Sequence, residues 1–301
     1  MSKQQEEVYQ NPNGMPMANG KNLHMDLGVG DINNRIVTVG TTSRAEKIAK
    51  FLDDSKPVTR IASGRGFLTI NGTFNDVPVS IVAIGMGPSM MDFFVRETKA
   101  VVPGPIVACR FGTCGGISDQ TVAGTVVVAS GGSSYVTRNP DYFAYRYADE
   151  KESVDSNIPK YNICKVAPSD SELSSLVETQ LKDKLKDVQG MTPEQRVLTG
   201  TNVTAESFYS SQGRIHEMFD DQNDALITEV CQKVENAATM EMETFMLLHL
   251  AKCCNEPFYA SSCAIVVANR TDNSTVDGET LGEVERLGGL AVLEAVTMRQ
   301  L

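Results

Sequence analysis

Residues 35–54, RIVTVGTTSRAEKIAKFLDD, determine the fold that we expect for this chain. The apolar run at its start ends in a glycine and predicts a short buried strand. Ser43 is the expected N-cap of the following helix, on which Ile48, Ala49 and Leu52 share one face. A buried strand that passes through a glycine into an amphipathic helix is the repeating unit of α/β proteins.

The same alternation continues outward from this stretch. Strands are predicted at 105–112, 124–130, 197–207 and 257–270, and helices at 88–102, 169–187 and 282–301. Residues 240–254 are predicted to pass from the end of a strand into a helix. Residues 66–85 predict a hairpin with an Asn-Gly turn, and 131–160 predict a surface loop or insertion. No Pro/Gly/Ser-rich linker divides the chain. We therefore expect an α/β fold: a single-domain α/β sandwich with a central mixed β-sheet flanked by helices.

The ends and the composition narrow the class of protein. Residues 1–22 are polar and predict a flexible N-terminal tail rather than a signal peptide, so the domain is expected to span 23–301. Hydrophobic residues make up 41%, which is a globular composition. No run approaches the roughly 20 apolar residues of a membrane span, so no membrane partner is expected. The net charge of −11 disfavours binding to nucleic acid.

The cysteines and histidines restrict the expected cellular compartment of the protein and the kinds of metal or catalytic site that it can form. Seven cysteines without framework spacing argue against a disulfide scaffold and favour the reducing cytoplasm. Three histidines offer little material for a His-rich metal centre or a Ser–His–Asp triad. We expect neither a metal nor an organic cofactor.

Three glycine-containing segments each carry an arginine. VGTTSR contains Gly40 and Arg44, SGRG contains Arg65, and CRFGTCGG contains Arg110 and Thr113. Glycine lets backbone N–H groups approach an anion, and the arginine fork fits phosphate oxygens. Neither a P-loop nor GxGxxG follows a strand, so a free phosphate ion fits better than a nucleotide. For each arginine taken alone, a solvated surface position is the alternative.

Two further segments carry polar groups suited to a nucleoside. In MEMET, Glu241 and Glu243 flank Met242; carboxylates accept from sugar hydroxyls, and the alternative is an acidic helix start. In SFYSSQGR, an aromatic ring precedes Gln212 and Arg214. These groups suit a flat polar ligand, and the alternative is a polar surface turn.

Taken together, the motifs resemble the nucleoside phosphorylases of the trimeric/hexameric superfamily, and among them the uridine phosphorylases. GTTSRAEKIA resembles the GDPxRxxKIA phosphate loop of the family, SGRGF its HREF segment and RFGTCGGI its RIGTTGAI. FYSSQGR resembles FYxGQxR, MEMET resembles YEMES, and AIVVANRT resembles VIVNRT. The matches keep the order of the family and cover about 35 to 300.

The resemblance implies a role for each candidate residue. Phosphate, the co-substrate, would be bound by Gly40, Arg44, Arg110 and Thr113, with Arg65 reaching in from a neighbouring subunit. Ribose would be bound by Thr113, Glu241, Met242 and Glu243, and by His24 of LHMDLGVGD from a neighbour. The base would contact Phe208, Gln212, Arg214, Val267 and Ala268.

The implied reaction is phosphorolysis of uridine to uracil and ribose 1-phosphate. Gln212 can pair with N3–H and one carbonyl of uracil, and Arg214 can donate to the other carbonyl. Donors placed there stabilise the charge that develops on uracil as its bond to the sugar breaks. We therefore expect Arg110, Gln212 and Arg214 to be the catalytic residues.

The sequence also departs from the family pattern and leaves alternatives open. Thr41–Thr42 replaces the Asp-Pro of the phosphate loop, and Gly66 replaces the carboxylate of a family interface-cation site. A purine nucleoside phosphorylase or nucleosidase, and a non-catalytic nucleoside-binding protein on the same fold, are the alternative functions. A homo-oligomer with shared sites is implied, as a dimer or a hexamer.

Overall fold

A computed structural model describes residues 13–146 and 157–301, and in it strands and helices alternate as the sequence predicts. In chain order the strands are β1 (Met17–Ala18), β2 (Lys21–Asn22), β3 (Arg35–Val39), β4 (Thr59–Ala62), β5 (Leu68–Phe74), β6 (Val77–Ala83), β7 (Ile106–Gly116), β8 (Val126–Val128), β9 (Ser133–Arg138), β10 (Tyr161–Ile163), β11 (Val197–Thr199), β12 (Thr201–Ala205), β13 (Ala237–Glu241) and β14 (Phe258–Asn269). The helices are α1 (Thr42–Ala49), α2 (Pro88–Val101), α3 (Ser171–Leu185), α4 (Pro193–Arg196), α5 (Leu226–Lys233), α6 (Thr244–Cys253) and α7 (Gly278–Met298).

All of these strands except β1 and β2 form one mixed sheet around the long strand β7. The main path runs β10-β9-β12-β13-β7-β3-β6-β5-β4. Strand β14 pairs with β7 along its other edge and leads to β8 and β11. The expected single-domain α/β sandwich with a central mixed sheet is confirmed.

The helices cover both faces of this sheet because alternate strand residues point to opposite sides. On one face, side chains such as Val37, Ile81 and Val107 pack with α1, α3 and α7. On the other face, side chains such as Ile36 and Val82 pack with α2 and α6. Two apolar layers therefore hold the strand ends, and the loops between them, in fixed positions.

Helix α1 follows β3 as the quoted stretch predicts, but its boundaries differ. Thr41, not Ser43, is the N-cap, and its side chain accepts from the Arg44 N–H. The helix ends at Ala49, although Leu52 still joins the core. An N-cap at Thr41 brings Arg44 into the first turn of the helix, next to the end of β3.

The hairpin of residues 66–85 is present, but the predicted Asn-Gly turn is wrong. Asn71 and Gly72 lie inside β5, and the turn is at Asn75 and Asp76, both with positive φ. Asp53 stabilises that turn by accepting from both turn N–H groups. Gly72 has a packing role, since a Cβ there would lie 2.9 Å from Cδ1 of Leu52.

Two further expectations need correction. Within the predicted surface loop 131–160, β9 is a sheet strand with Ser133 and Val136 buried, and residues 147–156 lie outside the described part of the chain. The predicted strand 197–207 is two strands, β11 and β12, separated at Gly200. A Cβ at Gly200 would lie 2.7 Å from the Ala238 Cβ, so close approach to β13 requires glycine there.

The predicted tail 1–22 is only partly described. Residues 1–12 lie outside the described ranges, while β1 and β2 form a short hairpin and Asn22 is buried. Across residues 13–146 and 157–301, no helix is both long and apolar enough to cross a membrane.

Candidate active site

The candidate site lies where two strands end against the same edge of β7. The pairing of β3 with β7 ends at Thr38↔Arg110, and β13 enters from the opposite direction and pairs only at Gly115 and Gly116. Between these two stretches of pairing, residues 111–114 of β7 have no strand partner on this edge among the described strands. The carboxyl ends of β3 and β13 therefore point at each other across a gap in the sheet.

A cavity of about 320 Å³ fills this gap. Twelve of the fourteen predicted site residues line it: Gly40, Arg44, Arg110, Thr113, Phe208, Gln212, Arg214, Glu241, Met242, Glu243, Val267 and Ala268. These twelve residues come from five separate segments of the chain: 40–44, 110–113, 208–214, 241–243 and 267–268. Arg65 and His24 are the two predicted residues that do not line it.

Arg110 lines the cavity and lies between two buried glutamates. Its Nη2 is hydrogen-bonded to Glu243, and its Nε lies 3.3 Å from Oε2 of Glu241. Burial would lower the pKa of the guanidinium, but the charges of Glu243 and Glu241 outweigh burial and raise it. Nη1 is buried and has no hydrogen-bond partner among the described residues. Because buried donors are nearly always satisfied, this free N–H is suited to an anion oxygen.

The two glutamates differ in their surroundings. Glu241 accepts from the side chains of Asn202 and Thr204 and from the backbone N–H of Thr244. Burial raises the pKa of Glu241, but Arg110 and these side-chain bonds outweigh burial and lower it. For Glu243, burial and the charge of Glu241 outweigh Arg110, and its pKa is raised. Glu241 is therefore the fixed carboxylate, and Glu243 is the one that can change partner.

Gly112 makes the position of Arg110 possible. The Arg110 side chain folds back over the backbone two residues later, and a Cβ on Gly112 would lie 1.6 Å from Nη1. Gly112 does not have a positive φ, so glycine is needed here for space rather than for backbone conformation.

Arg44 is held at the edge of the cavity by a carboxylate from α7. Its Nε and Nη2 donate to Oε1 of Glu285, at 3.2 and 2.9 Å, and Lys47 donates to Oε2 at 2.6 Å. Burial raises the pKa of Glu285, but the bonds from Lys47 and Arg44 outweigh burial and hold it low. Glu285 was not predicted as a site residue, because its partners lie 238 and 241 residues away in the chain.

The aromatic, amide and guanidinium groups of SFYSSQGR converge at the other end of the cavity. Arg214 lies 3.8 Å from the ring centroid of Phe208 and donates to Oε1 of Gln212 at 2.6 Å. Burial and the nearby positive charge of Arg270 lower the pKa of Arg214 to about 10. The side-chain amide of Gln212 is fixed at the cavity wall, so this segment is more than a surface turn.

Arg270 holds this segment in place and was not predicted as a site residue. Its Nη1 and Nη2 donate to the carbonyls of Gln212 and Gly213, at 3.0 and 3.1 Å. The signal was present in the sequence, since Arg270 belongs to the quoted AIVVANRT segment. An arginine next to a strand end can bind carbonyls as well as substrate, and sequence alone does not separate the two.

Arg65 and His24 do not line the cavity of their own chain. Arg65 is exposed on the turn between β4 and β5. His24 packs on α2, where its ring stacks on Phe93 and its Nδ1 lies 2.5 Å from Oε1 of Glu97. Among the described residues, no group of three or more His, Cys, Asp or Glu side chains could hold a metal ion.

Comparisons with known proteins show the family to which the chain belongs. Residues 34–295 match the sequence model of the phosphorylase superfamily. A solved structure of a uridine phosphorylase from the oomycete Phytophthora capsici is 40% identical, with a TM-score of 0.89. That comparison covers 98% of this chain and 100% of the oomycete protein.

Two curated bacterial proteins are more distant. The uridine phosphorylase of Escherichia coli K12 is 24% identical over 280 residues, which is 91% of this chain and 96% of that protein. The uridine phosphorylase of Treponema pallidum is 29% identical over 119 residues. That match spans 40% of this chain and less than half, 44%, of the Treponema protein.

Proposed function

This chain belongs to the phosphorylase superfamily, and we propose that it is a pentosyltransferase that converts uridine and phosphate to uracil and ribose 1-phosphate. The main support for this function is that one cavity holds two groups of side chains, each suited to one of the two substrates. A buried guanidinium with a free N–H lies at one end, and an amide–arginine pair on an aromatic ring lies at the other. The first suits phosphate, and the second suits the edge of a pyrimidine.

Phosphate binds at the Arg110 end, against Arg44, Thr113 and the backbone of Gly40 in this proposal. The side chain of Arg110 turns so that Nη1, which is buried over Gly112 and unpaired among the described residues, donates to one phosphate oxygen. The nearby N-terminus of α1 favours the negative charge. When the Arg110 side chain turns towards phosphate, its hydrogen bond to Glu243 weakens, and Glu243 can accept from a ribose hydroxyl. Phosphate and nucleoside binding therefore support each other.

The ribose lies over Met242 and Thr113, between the two carboxylates, and the base lies against Phe208, Val267 and Ala268. A phosphate oxygen forms a bond to C1′ as the bond from C1′ to N1 of uracil breaks. The electron pair of that bond passes to the base, where Gln212 and Arg214 stabilise it. Preplaced donors of this kind contribute roughly 10²–10³-fold each to the rate. Uracil then takes a proton from solvent.

We propose that the phosphate site is completed by a second copy of the chain. Within one protomer, the cations Arg44, Lys47 and Arg110 are matched by the three carboxylates that they contact. The formal charge of this cluster is zero, which is a weak attraction for a phosphate dianion. Arg65, exposed and outside its own cavity, supplies the missing positive charge to a neighbour in a homodimer or larger assembly.

Complementation tests the sharing of sites. Arg65→Ala and Arg110→Ala are each expected to be nearly inactive. In a mixed dimer both defects fall in one site and the other site is intact, so random pairing restores about one quarter of wild-type activity. No recovery, with mass-spectrometric proof of mixed dimers, would show that Arg65 acts within its own chain or not at the site.

The choice of base tests the function itself. Uridine is expected to be cleaved roughly 10⁴-fold better than inosine, because a purine leaves the polar edges of Gln212 and Arg214 unpaired. Preference for inosine would favour a purine nucleoside phosphorylase. Tight nucleoside binding without turnover would favour the binding-protein alternative.

We also propose a cytoplasmic location and a domain that spans 23–301, with 1–22 as a tail. All seven cysteines are free thiols, which suits a reducing compartment. The proposed reaction needs phosphate as co-substrate and no further cofactor.

A further inference from the structure

Asn223 is a buried amide that does not line the cavity but contacts the segment that does. It has 4% of its surface exposed and lies shortly before α5. Its Nδ2 donates to the carbonyl of Ser210 at 2.9 Å and to that of Arg214 at 3.1 Å. These carbonyls lie at the two ends of the turn that carries the side chains of Gln212 and Arg214. One amide group therefore joins the two ends of this turn.

The turn belongs to the Gln212 segment, residues 207–214, and Arg270 supports it as well. Arg270 donates to the carbonyls of Gln212 and of the glycine that follows it. Together with Asn223, it binds four of the five backbone carbonyls from 210 to 214. The backbone of the turn is thus held by other groups, and the side chains of Gln212 and Arg214 line the cavity.

Residues 138–146 hold the chain immediately before Asn223. They begin at the last residue of β9 and continue into a short 3₁₀ helix, Pro140–Arg146. Nη1 of Arg138 lies 2.7 Å from Oδ1 of Asp221, whose side chain is only 10% exposed. Two tyrosine hydroxyls of the same stretch bond to Oε1 and Nε2 of the Gln222 side chain, at 3.2 and 3.0 Å.

The backbone of Gln222 shows why these contacts affect Asn223. Gln222 has a φ of +49°, in the left-handed region that is uncommon outside glycine, asparagine and aspartate. Such a conformation persists only where the surroundings hold it. A left-handed residue sets the direction in which the chain continues, so the contacts that hold Gln222 also determine where the Asn223 amide lies.

We propose that Asn223 is a positioning residue for base recognition, and that residues 138–146 hold it in place through Asp221 and Gln222. This rests on the proposed function, because the side chains that Asn223 positions are those assigned to the base. Part of the stretch that the sequence predicts as a surface loop thereby acquires a function in the site.

A purely structural role for Asn223 makes a different prediction. If the amide only stabilises the fold, its loss lowers the amount of active protein, so kcat falls while KM for uridine and KM for phosphate stay unchanged. If the amide positions the Gln212 segment, its loss raises KM for uridine and leaves KM for phosphate as it was. The two Michaelis constants therefore separate the two roles.

Asn223→Asp is the sharpest variant, because it keeps the shape of the side chain and removes both donors. A carboxylate can only accept, so it would face two carbonyls that accept as well. With two hydrogen bonds lost, KM for uridine should rise roughly 10- to 100-fold, and KM for phosphate should change by less than about twofold. A wild-type KM for uridine in the folded variant, or an equal rise of both constants, would overturn the proposal.

Asn33→Asp is the matched control. Nδ2 of Asn33 donates to the carbonyl of Val79 at 3.0 Å, near the start of β6 and therefore at the end of the sheet opposite the cavity. The substitution removes the same kind of donor from the same kind of bond. It should lower the free energy of unfolding and keep both Michaelis constants.

Arg138 tests the route from residues 138–146 to the turn. Arg138→Gln should raise KM for uridine roughly 3- to 10-fold, and Arg138→Lys, which keeps a charge for Asp221, should raise it less. In an Asn223→Ala background, Arg138→Gln should cause no further rise, since it acts through the amide that is already missing. An equal rise in both backgrounds would overturn this route.

Amide hydrogen exchange tests the positioning without any activity. The backbone N–H groups of Gly213 and Arg214 donate to the carbonyls of Ser210 and Tyr209 within the turn. Asn223→Asp should speed their exchange about 10-fold or more, and Asn33→Asp should not. Unchanged exchange in Asn223→Asp would overturn the proposal.

Failure of the proposed function would look different. If the wild type does not cleave uridine, the proposed function is wrong, and base recognition by this turn falls with it even where exchange is faster. If the wild type cleaves uridine and Asn223→Asp does so with the same KM, phosphorolysis stands and only the role of Asn223 is wrong.

Discussion

Gly112→Ala tests the position of Arg110 without replacing a charged residue. The new Cβ would lie 1.6 Å from Nη1, 2.6 Å from Cζ and 3.0 Å from Nη2 of Arg110. Carbon contacts are comfortable at about 3.5–4.0 Å, so the guanidinium must move by roughly 2 Å. The backbone itself tolerates alanine, because Gly112 lacks a positive φ. The substitution therefore acts on Arg110 alone.

The expected effect is on phosphate. Misplacing a catalytic group by about 1 Å can lower the rate about 10²-fold, or about 2.7 kcal/mol, so kcat/KM for phosphate should fall at least about 10²-fold. Moving Arg110 also weakens a buried ion pair, whose disruption costs about 3–5 kcal/mol of the free energy of unfolding. The assays are initial rates over a range of phosphate concentrations and denaturant unfolding.

Gly278→Ala is the matched control, since a Cβ there meets no atom within 4 Å. It should keep wild-type kinetics. If folded Gly112→Ala protein shows the wild-type kcat/KM for phosphate, Arg110 does not bind phosphate from the position described here, and the assignment of the phosphate site is wrong.

Three other substitutions test the groups around the cavity. Arg214→Ala should lower kcat for uridine about 10²-fold as well as raise KM, because its charge is needed as uracil leaves; wild-type kcat would remove it from the catalytic set. Arg270→Gln should raise KM for uridine roughly 10-fold through the loosened Gln212 segment. KM for phosphate should stay unchanged, and a rise in both constants would contradict this role. Glu285→Gln should lower the free energy of unfolding at neutral pH by roughly 1–3 kcal/mol. The pKa of Glu285 in the folded protein lies below its unfolded value near 4.3. Its contribution to the free energy of unfolding is therefore present above about pH 4.3 and is lost as the pH falls through the folded pKa. Below about pH 4 the Glu285→Gln variant should lose less stability than the wild type. Parallel losses in the two proteins would show that Glu285 does not contribute in this way.

The sequence predicted the alternation of elements and most of the cavity because both depend on local patterns. Apolar runs that end in glycine define strands, and the site residues follow those strand ends. The same local rules failed where tertiary packing decided the structure. Asn71–Gly72 has the sequence of a hairpin turn, yet Gly72 is in a strand because Leu52 packs against it.

The pairing of charges was not predictable from the sequence. Arg110 precedes its two carboxylate partners by more than 130 residues, and Arg44 precedes Glu285 by 241 residues. Strand 133–138 escaped prediction because Ser133 and Ser134 are polar although they are buried; each finds a hydrogen-bond partner inside the fold. Such compensation is visible only once the neighbouring strands are in place.

Phosphate, and not water, is expected to cleave the nucleoside. The most direct measurement is the release of uracil from uridine with phosphate and in phosphate-free buffer, together with the amount of ribose 1-phosphate. Uracil should appear only when phosphate is present, with one ribose 1-phosphate formed for each uracil. Equal release of uracil without phosphate, with free ribose as the second product, would contradict it and identify a hydrolase.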